Sequence, residues 1–367
     1  SYQKGWQSVD EYLKQTAIVN PHVTIIYTNP KAEQFIFPRA IEELPELPKE
    51  IKPHPYGVEL GMLLKMLQWT ESNTVKAFLQ KEFSRVSAKG ADEILENARV
   101  NPKAKPKKLA REEAEKLIKG IRETKLMMPP TDCISPIGEE ALIKGLKKEI
   151  NAEFYAACTR PPAVYRGNPF QIEAAIAYGG NQSTERAAMV MRFANKVPLL
   201  YQQGACAATE SIAKTSWKGY GLQQSNGNLP QGPVTIVVHM ASGWVPFTSE
   251  AKEALAHYPE IVKEVKLGLQ EVGRKLSKYT LKKRRVGDEL KKRSYIEKYI
   301  PHLAAALKDL LELSDGQEGI VEDELKRLLE KERGQVEDME FDASKNKEYD
   351  EEFATIGKEE ERAGDDA

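Results

Sequence analysis

Strand-like and helical segments alternate between residues 151 and 260, and this alternation limits most strongly how the chain can fold. Apolar, β-branched runs such as PVTIVVHM are typical of buried strands, whereas ACAATESIAKTSW has the composition of a helix. Alternating strands and helices bury their apolar faces by packing a sheet against helices. We therefore predict a mixed α/β layer for this part of the chain.

Two helical regions of different character flank the α/β segment. Residues 58–128 contain short amphipathic helices separated by Gly, Asn or Pro, which predicts an all-α domain. Residues 261–313 are highly charged and helical in pattern, and Pro301 is expected to kink or split that helix. Residues 314–367 form an acidic, largely disordered tail, in which SDGQEGIVEDELKRLLEKERG at the start is predicted to add a short helix and the remainder is poor in apolar periodicity.

The first fifty residues have the pattern of one helix followed by a short strand. Ser8 and Glu11 have the spacing of a capping box, and VTIIYT supplies a β-branched run. One helix and one strand bury little apolar surface, and the chain starts without Met. We therefore interpret residues 1–50 as the end of a domain in an N-terminally truncated protein, with a proline-rich linker at residues 37–57.

Composition disfavours several classes of protein. Lys and Arg number 54 against 55 Asp and Glu, so the net charge indicates no particular partner. The three cysteines form no CxxC pair, which disfavours a disulfide framework or a zinc site and suits a reducing compartment. The five histidines lack metal-ligand spacing, so no metal site is expected. No apolar run approaches the roughly 20 residues that span a bilayer.

The position of one lysine is not explained by the stability of the local structure. The strand PVTIVVHM is followed by a loop and by a predicted helix start at Ser249, with Glu250 and Glu253 in its first turn. Lys252 lies in that turn, where a cation opposes the helix dipole. Two interpretations remain open: a solvated surface lysine, or a cation that meets an anion held elsewhere.

Two basic segments have compositions suited to contact with phosphate groups. SWKGY brings together Trp217, Lys218 and Tyr220, so that a lysine can neutralise a phosphate while aromatic rings pack on the sugar backbone. A predicted helix carries four consecutive cations, namely Lys282, Lys283, Arg284 and Arg285. A half-buried aromatic pair beside a turn and a solvated helix face are the competing interpretations, and the sequence leaves both open.

Several long motifs together resemble one family, the B subunits of DNA topoisomerase VI, which is a type IIB topoisomerase. They follow one another as PPTDCISPIGEE, TRPPAVYRGNPFQIEAAIAYGG, RFANKVPLLYQQGACAATESI, SWKGYGLQQ and VPFTSEAKEAL, with TAIVNPH and EIKPHPYGVELG nearer the start. The resemblance runs from about residue 9 to about residue 310. The acidic tail lies outside it.

The resemblance implies an α+β and α/β multidomain protein of the Bergerat (GHKL) ATPase superfamily. It implies a remnant of the ATP-binding domain at 1–50, a helix-two-turn-helix domain at 58–128, an α/β transducer at 129–260, a helical stalk at 261–313 that docks the A subunit, and an acidic tail at 314–367. We find no Bergerat nucleotide-binding motif in the chain. The chain alone is therefore expected to be inactive, with ATP and Mg²⁺ bound only by the full-length protein.

The resemblance also implies roles for single residues. Lys252 matches the transducer lysine that contacts the γ-phosphate of ATP in the neighbouring domain, where an ammonium stabilises charge in the transition state. Trp217, Lys218 and Tyr220 match the family's DNA-contacting WKxY element. Gln202 and Gln203 line the same junction as Lys252 or simply pack a turn, and we favour the turn.

The function that the resemblance implies is strand passage through duplex DNA. Two B subunits would dimerise on ATP and trap one duplex, and their transducers would move the A subunits that cut a second one, so that DNA is relaxed or decatenated. The expected assembly is a heterotetramer of two A and two B subunits, cytoplasmic and nucleoid-associated. The alternative is a non-enzymatic DNA-binding scaffold that has lost its ATPase domain.

Overall fold

The computed structural model describes residue 5 and residues 7–333. The chain divides into two compact units. The first comprises the described residues up to Trp217 together with Leu222–Lys275, and the second comprises Lys218–Gly221 together with the described residues from Leu276 to 333. In the described part of the chain, no helix has an apolar stretch that would cross a bilayer.

The N-terminal residues form one helix and a small two-stranded sheet. Helix α1 (Val9–Val19) begins where predicted, because the Ser8 hydroxyl oxygen accepts the Glu11 backbone N–H at 3.3 Å. The predicted capping box is only half formed, since the Ser8 N–H donates to Gly5 and the Glu11 carboxylate accepts from Gln15 instead. The antiparallel strands β1 (Ile25–Thr28) and β2 (Gln34–Phe37) follow, and only β1 was expected. Residues 38–54 carry no helix or strand, which agrees with the predicted linker.

Helix α1 packs against helix α6 (Glu139–Glu149), in a core that also includes a six-stranded sheet. Ile18 and Val19 of α1 are fully buried in a cluster with Leu142 and Leu146 of α6. The two helices approach so closely that a Cβ atom added at Gly145 would lie 2.0 Å from the carbonyl oxygen of Ile18. Helix α1 and α6 therefore form one packed layer.

Four helices with a core of their own follow the linker. They are α2 (Leu60–Trp69), α3 (Val75–Glu82), α4 (Ala88–Ala98) and α5 (Arg111–Glu123). Thr74 and Ser87 cap α3 and α4 by accepting backbone N–H groups with their hydroxyl oxygens. Phe78, Ile94 and Leu117 are completely buried in this core. The helical pattern predicted for this region is present.

A six-stranded mixed sheet forms the centre of the first unit. Its strands are β3 (Phe154–Thr159), β4 (Ala163–Tyr165), β5 (Asn168–Tyr178), β6 (Met189–Ala194), β7 (Val197–Pro198) and β8 (Val234–Ser242). The order is β3-β5-β8-β6-β7, with β4 paired to β5. Only β6 and β8 are parallel. The predicted mixed α/β layer is confirmed.

Helices cover both faces of this sheet. Ala175 and Ala177 of β5 lie in the cluster formed with α1 and α6. Ala174, which points to the opposite face because side chains alternate along a strand, lies against Gly268 of α8 (Pro259–Leu311). All nine residues of β8 are buried, as expected for a central strand covered on both sides.

The C-terminal helices test two of the predictions. Helix α8 continues through Pro301 to Leu311, so the proline does not split it. Helix α9 (Asp315–Arg333) confirms the short helix predicted at the start of the acidic tail. Its Val321, Leu325 and Leu329 recur at helical spacing and are half-buried. The rest of that predicted tail, 334–367, lies outside the described residues.

Candidate functional site

Lys252 lies at the tip of a short hairpin, residues 246–256, which we call the Lys252 hairpin. The backbone N–H of Thr248 donates to the carbonyl oxygen of Ala254, and that of Ala256 donates to Pro246, each at 2.9 Å. The predicted helix start at Ser249 is therefore wrong, since the residues that would continue such a helix pair across the hairpin instead. The next helix, α8, begins only at Pro259.

The Lys252 side chain is exposed, and its backbone is unusual. Its φ of 58° lies in the left-handed region, which costs a non-glycine residue about 1 kcal/mol. The Lys252 N–H donates to the carbonyl oxygen of Ser249 at 3.1 Å and closes the tip. Among the described residues, none forms a hydrogen bond or ion pair with the Lys252 ammonium. The tip therefore presents a cation that the described chain does not neutralise.

The base of the Lys252 hairpin is held against α7 (Ala207–Lys214). The backbone N–H of Ala207 donates to the carbonyl oxygen of Leu255 at 3.0 Å. The Leu255 N–H in turn approaches the Cys206 thiol at 3.3 Å. Both Cys206 and Leu255 are fully buried. The hairpin is thus exposed at its tip and fixed in the interior at its base.

The segment before α7 is held by a buried arginine of β6. The Arg192 guanidinium of β6 donates to the carbonyl oxygens of Leu199 at 2.7 Å and Tyr201 at 2.9 Å. The next residue, Gln202, is exposed and has a φ of 51°. Gln203 begins a single 3-10 turn. Both glutamines therefore lie in a turn, and a place for them at the junction with Lys252 stays untested.

A buried carboxylate and imidazole inside the sheet were missed in the sequence. Glu173 of β5 and His239 of β8 are both fully buried, with Oε2 and Nδ1 2.8 Å apart. The backbone N–H of Lys196 donates to His239 Nε2 at 3.0 Å, which makes Nε2 the acceptor and Nδ1 the donor to Glu173. Register alone could have suggested the pair, because Glu173 and His239 are direct partners between β5 and β8.

The Glu173 carboxylate also holds the start of α6. Its oxygens accept the backbone N–H groups of Ile137 and Gly138, both at 2.7 Å, and the Thr159 hydroxyl at 2.9 Å. Burial by itself raises the pKa of Glu173, but the hydrogen bonds from His239 and from these two backbone groups outweigh burial, and the pKa is lowered. The group is therefore an ionised structural link.

The predicted DNA-contacting aromatics lie in the interior. Trp217 is fully buried and its indole N–H donates to the carbonyl oxygen of Ile212 in α7 at 2.8 Å, while Tyr220 is 1% exposed. In this conformation neither ring offers a face to DNA, so the interpretation in which the rings pack on the sugar backbone is not compatible with it. Lys218, between them on the 3-10 turn Trp217–Tyr220, is exposed. DNA contact by Lys218 stays a prediction.

The four cations predicted as a DNA contact lie on α8 in the second unit. Lys282, Lys283 and Arg284 are exposed, and Arg285 is half-buried. Consecutive helical residues are rotated by about 100°, so four in a row surround the helix rather than forming one face. Lys282 and Arg285 share a face with Lys278, whereas Arg284 points away from it. Their DNA contact is also still a prediction.

The described residues contain no group of three or more His, Cys, Asp or Glu side chains that could hold a metal ion.

The mixed sheet and the Lys252 hairpin belong to one domain, and that domain defines the class of protein. A family model for the topoisomerase VI B subunit transducer matches residues 129–293. Those residues contain α6, the whole mixed sheet, the Lys252 hairpin and the first part of α8. The α/β region is accordingly a transducer domain.

Curated relatives extend the similarity well beyond that domain. The B subunit of type 2 DNA topoisomerase 6 from Methanococcoides burtonii is 48% identical over 318 residues, covering 85% of this chain and 50% of the relative. The corresponding protein of Methanosarcina acetivorans is 47% identical, with 85% and 50% covered, and that of Archaeoglobus fulgidus is 44% identical, with 83% and 51% covered. The chain belongs to the family of topoisomerase VI B subunits, which confirms the resemblance. It spans about half the length of these relatives.

A more distant solved structure adds no argument about the fold. The B-subunit of the DNA gyrase from Myxococcus xanthus aligns with 33% of this chain and 34% of that chain, at 16% identity and a TM-score of 0.24.

Proposed function

We propose that this chain is the part of an ATP-dependent type IIB DNA topoisomerase B subunit that transmits the nucleotide state to DNA and to the A subunit. The observation that carries the proposal is the exposed Lys252 at the tip of a hairpin whose base is buried against α7. A cation fixed in this way can contact an anion on a neighbouring domain and pass the resulting displacement to the sheet.

The anion we assign to Lys252 is the γ-phosphate of ATP bound, together with Mg²⁺, by the neighbouring nucleotide-binding domain of the full-length protein. An ammonium acts as a point charge on the transferring phosphoryl group, and it stabilises charge that develops in the transition state. Hydrolysis and release of the phosphate remove its partner, so the same lysine reports which nucleotide is present. By itself the chain would neither hold nor hydrolyse ATP.

DNA contact is assigned to cations that neutralise phosphates without recognising sequence. Lys218 on its exposed turn is one candidate, and the face of α8 that contains Lys278, Lys282 and Arg285 is the other. Such contacts give affinity that falls with salt. We further propose residues 58–128 as a helix-two-turn-helix domain and residues 261–313 as the stalk, following the family order.

The partner we assign to the stalk is the A subunit, in a heterotetramer of two A and two B subunits. Apolar side chains are exposed on α8 at Tyr295, Tyr299 and Leu303, which recur every four residues and so share one face. An exposed apolar face of this kind marks a surface that a partner protein covers. It supports docking near the C-terminal end of the stalk.

The proposal is tested with Lys252→Ala in the full-length B subunit, in complex with its A subunit. We expect ATP-dependent relaxation of supercoiled DNA to be lost while DNA binding without nucleotide is unchanged. Lys263→Ala is the matched control, because Lys263 is also a lysine of the first unit but lies on α8. Unchanged relaxation in Lys252→Ala would leave the DNA-binding scaffold as the better account.

A further inference from the structure

The Lys252 hairpin is held to α7 at two levels. The first is the buried contact at its base, where Leu255 bonds to Ala207 and to the Cys206 thiol. The second is a surface contact directly after the hairpin, where His257 Nε2 lies 2.5 Å from Glu210 Oε2. Glu210 lies about one helical turn, roughly 5 Å, beyond Ala207 along α7.

The contact between His257 and Glu210 restrains a motion that the contact at the base of the hairpin still allows. A hairpin held only at its base can pivot, and a pivot at the base is largest at the tip, where Lys252 lies. A contact one helical turn away restrains that pivot. We propose that Glu210 is a positioning residue for Lys252, and that through His257 it fixes the orientation of the Lys252 hairpin relative to α7.

Helix α7 also connects this site to the segment with the exposed Lys218. The carbonyl oxygen of Ile212, near the end of α7, accepts the indole N–H of Trp217. Trp217 directly precedes Lys218 in the chain. An eight-residue helix of about 12 Å therefore contacts the Lys252 hairpin at one end and the buried Trp217 at the other. If the Lys252 hairpin changes its orientation relative to Glu210, the whole of α7 would move with it.

Glu210 has a second partner, which provides a control. Lys214, one turn further along α7, forms an ion pair with the other carboxylate oxygen of Glu210. This pair lies within α7 and does not involve the hairpin. The Lys214 hydrogen bond and then the proximity of His257 hold the pKa of Glu210 below its usual value, although partial burial opposes them. Loss of Lys214 should leave the hairpin contact in place.

The inference rests on the proposed function of Lys252 and is tested in the full-length B subunit, in complex with its A subunit. We expect Glu210→Ala and His257→Ala each to lower kcat for DNA-stimulated ATP hydrolysis about tenfold, because a small misplacement of a reacting group has a large effect on rate. The KM for ATP and the affinity for DNA should change less than about twofold. Lys214→Ala should stay within about twofold of the parent in every measurement.

The double variant Glu210→Ala/His257→Ala separates positioning from general structural damage. If the two residues act through each other, its kcat equals that of the more impaired single variant, because the contact is already lost. Losses that multiply would overturn the inference, as would an unchanged kcat in Glu210→Ala when Lys252→Ala is impaired. If Lys252→Ala is itself unimpaired, the proposed function fails, and the inference fails with it.

Discussion

His239 donates through Nδ1 to the Glu173 carboxylate at 2.8 Å, and neither side chain is exposed. The imidazole also accepts the Lys196 N–H, and the carboxylate also accepts the N–H groups of Ile137 and Gly138 at the start of α6. One buried pair therefore joins β5, β8, the turn between β6 and β7, and a helix terminus. Its removal should affect the whole transducer.

The first prediction concerns the stability that depends on this carboxylate. Glu173→Ala leaves several buried donors without an acceptor, so we expect the free energy of unfolding to fall by about 3–5 kcal/mol. Urea denaturation measures the change. Glu185→Ala is the control, because Glu185 is exposed and should change stability by no more than about 0.5 kcal/mol. Equal effects of the two substitutions would show that the buried network contributes little.

The second prediction follows from the lowered pKa of Glu173. A carboxyl group whose pKa is lower in the folded state than in the unfolded state stabilises the fold fully above its unfolded pKa, about 4.3, and loses this contribution as pH falls through its folded pKa. The free energy of unfolding should therefore decrease below about pH 4. In Glu173→Gln this decrease should be smaller, because the amide does not titrate. Thermal unfolding followed from pH 7 to pH 3 measures both slopes. Parallel slopes for parent and variant would contradict the assignment.

The third prediction tests the close packing of α1 on α6. Gly145→Ala places a methyl group against the carbonyl oxygen of Ile18, so we expect a loss of about 1–3 kcal/mol or more in unfolding free energy. Gly287→Ala on α8 is the matched control. Among the described residues, a Cβ there would meet no atom within 4 Å outside its own helix backbone, and alanine is the better helix former, so stability should be unchanged or higher by about 0.5–1 kcal/mol.

The fourth prediction separates the two roles within the SWKGY segment. Trp217→Ala empties a fully buried site and should lower the unfolding free energy by about 3–5 kcal/mol. Lys218→Ala should leave stability unchanged and weaken duplex binding, with the salt dependence reduced by about one phosphate contact. Fluorescence anisotropy across a salt series measures the binding. If Lys218→Ala binds DNA like the parent, Lys218 is a solvated turn residue.

The fifth prediction distinguishes the two sides of α8. Lys282 lies on the face shared with Lys278 and Arg285. We therefore expect Lys282→Glu to weaken duplex binding and to flatten the salt dependence of that binding. Arg284→Glu makes the same change in charge on the opposite side and should have a much smaller effect. The same salt titration measures both. Equal losses would indicate that overall charge, not a defined face, attracts the DNA.

Local patterns predicted much of this fold from the sequence, because their physical causes are local. The capping hydroxyl of Ser8 requires only Glu11 to begin α1, and the β-branched run around His239 forms a strand wherever it is buried. The mixed sheet and the short helices before it follow from periodicity in the same way. The family motifs are also contiguous, so the resemblance needed no structure to be seen.

Tertiary contacts decided the rest, since they join residues that no sequence window contains. Pairing of Phe247 with Leu255 replaced the expected helix at Ser249 with a hairpin and so exposed Lys252 at its tip. Glu173 meets His239 across 66 residues. Burial likewise turned Trp217 from a candidate DNA contact into a support for α7. A side chain's pattern limits what it can do, but its burial and its partners depend on which distant elements pack against it.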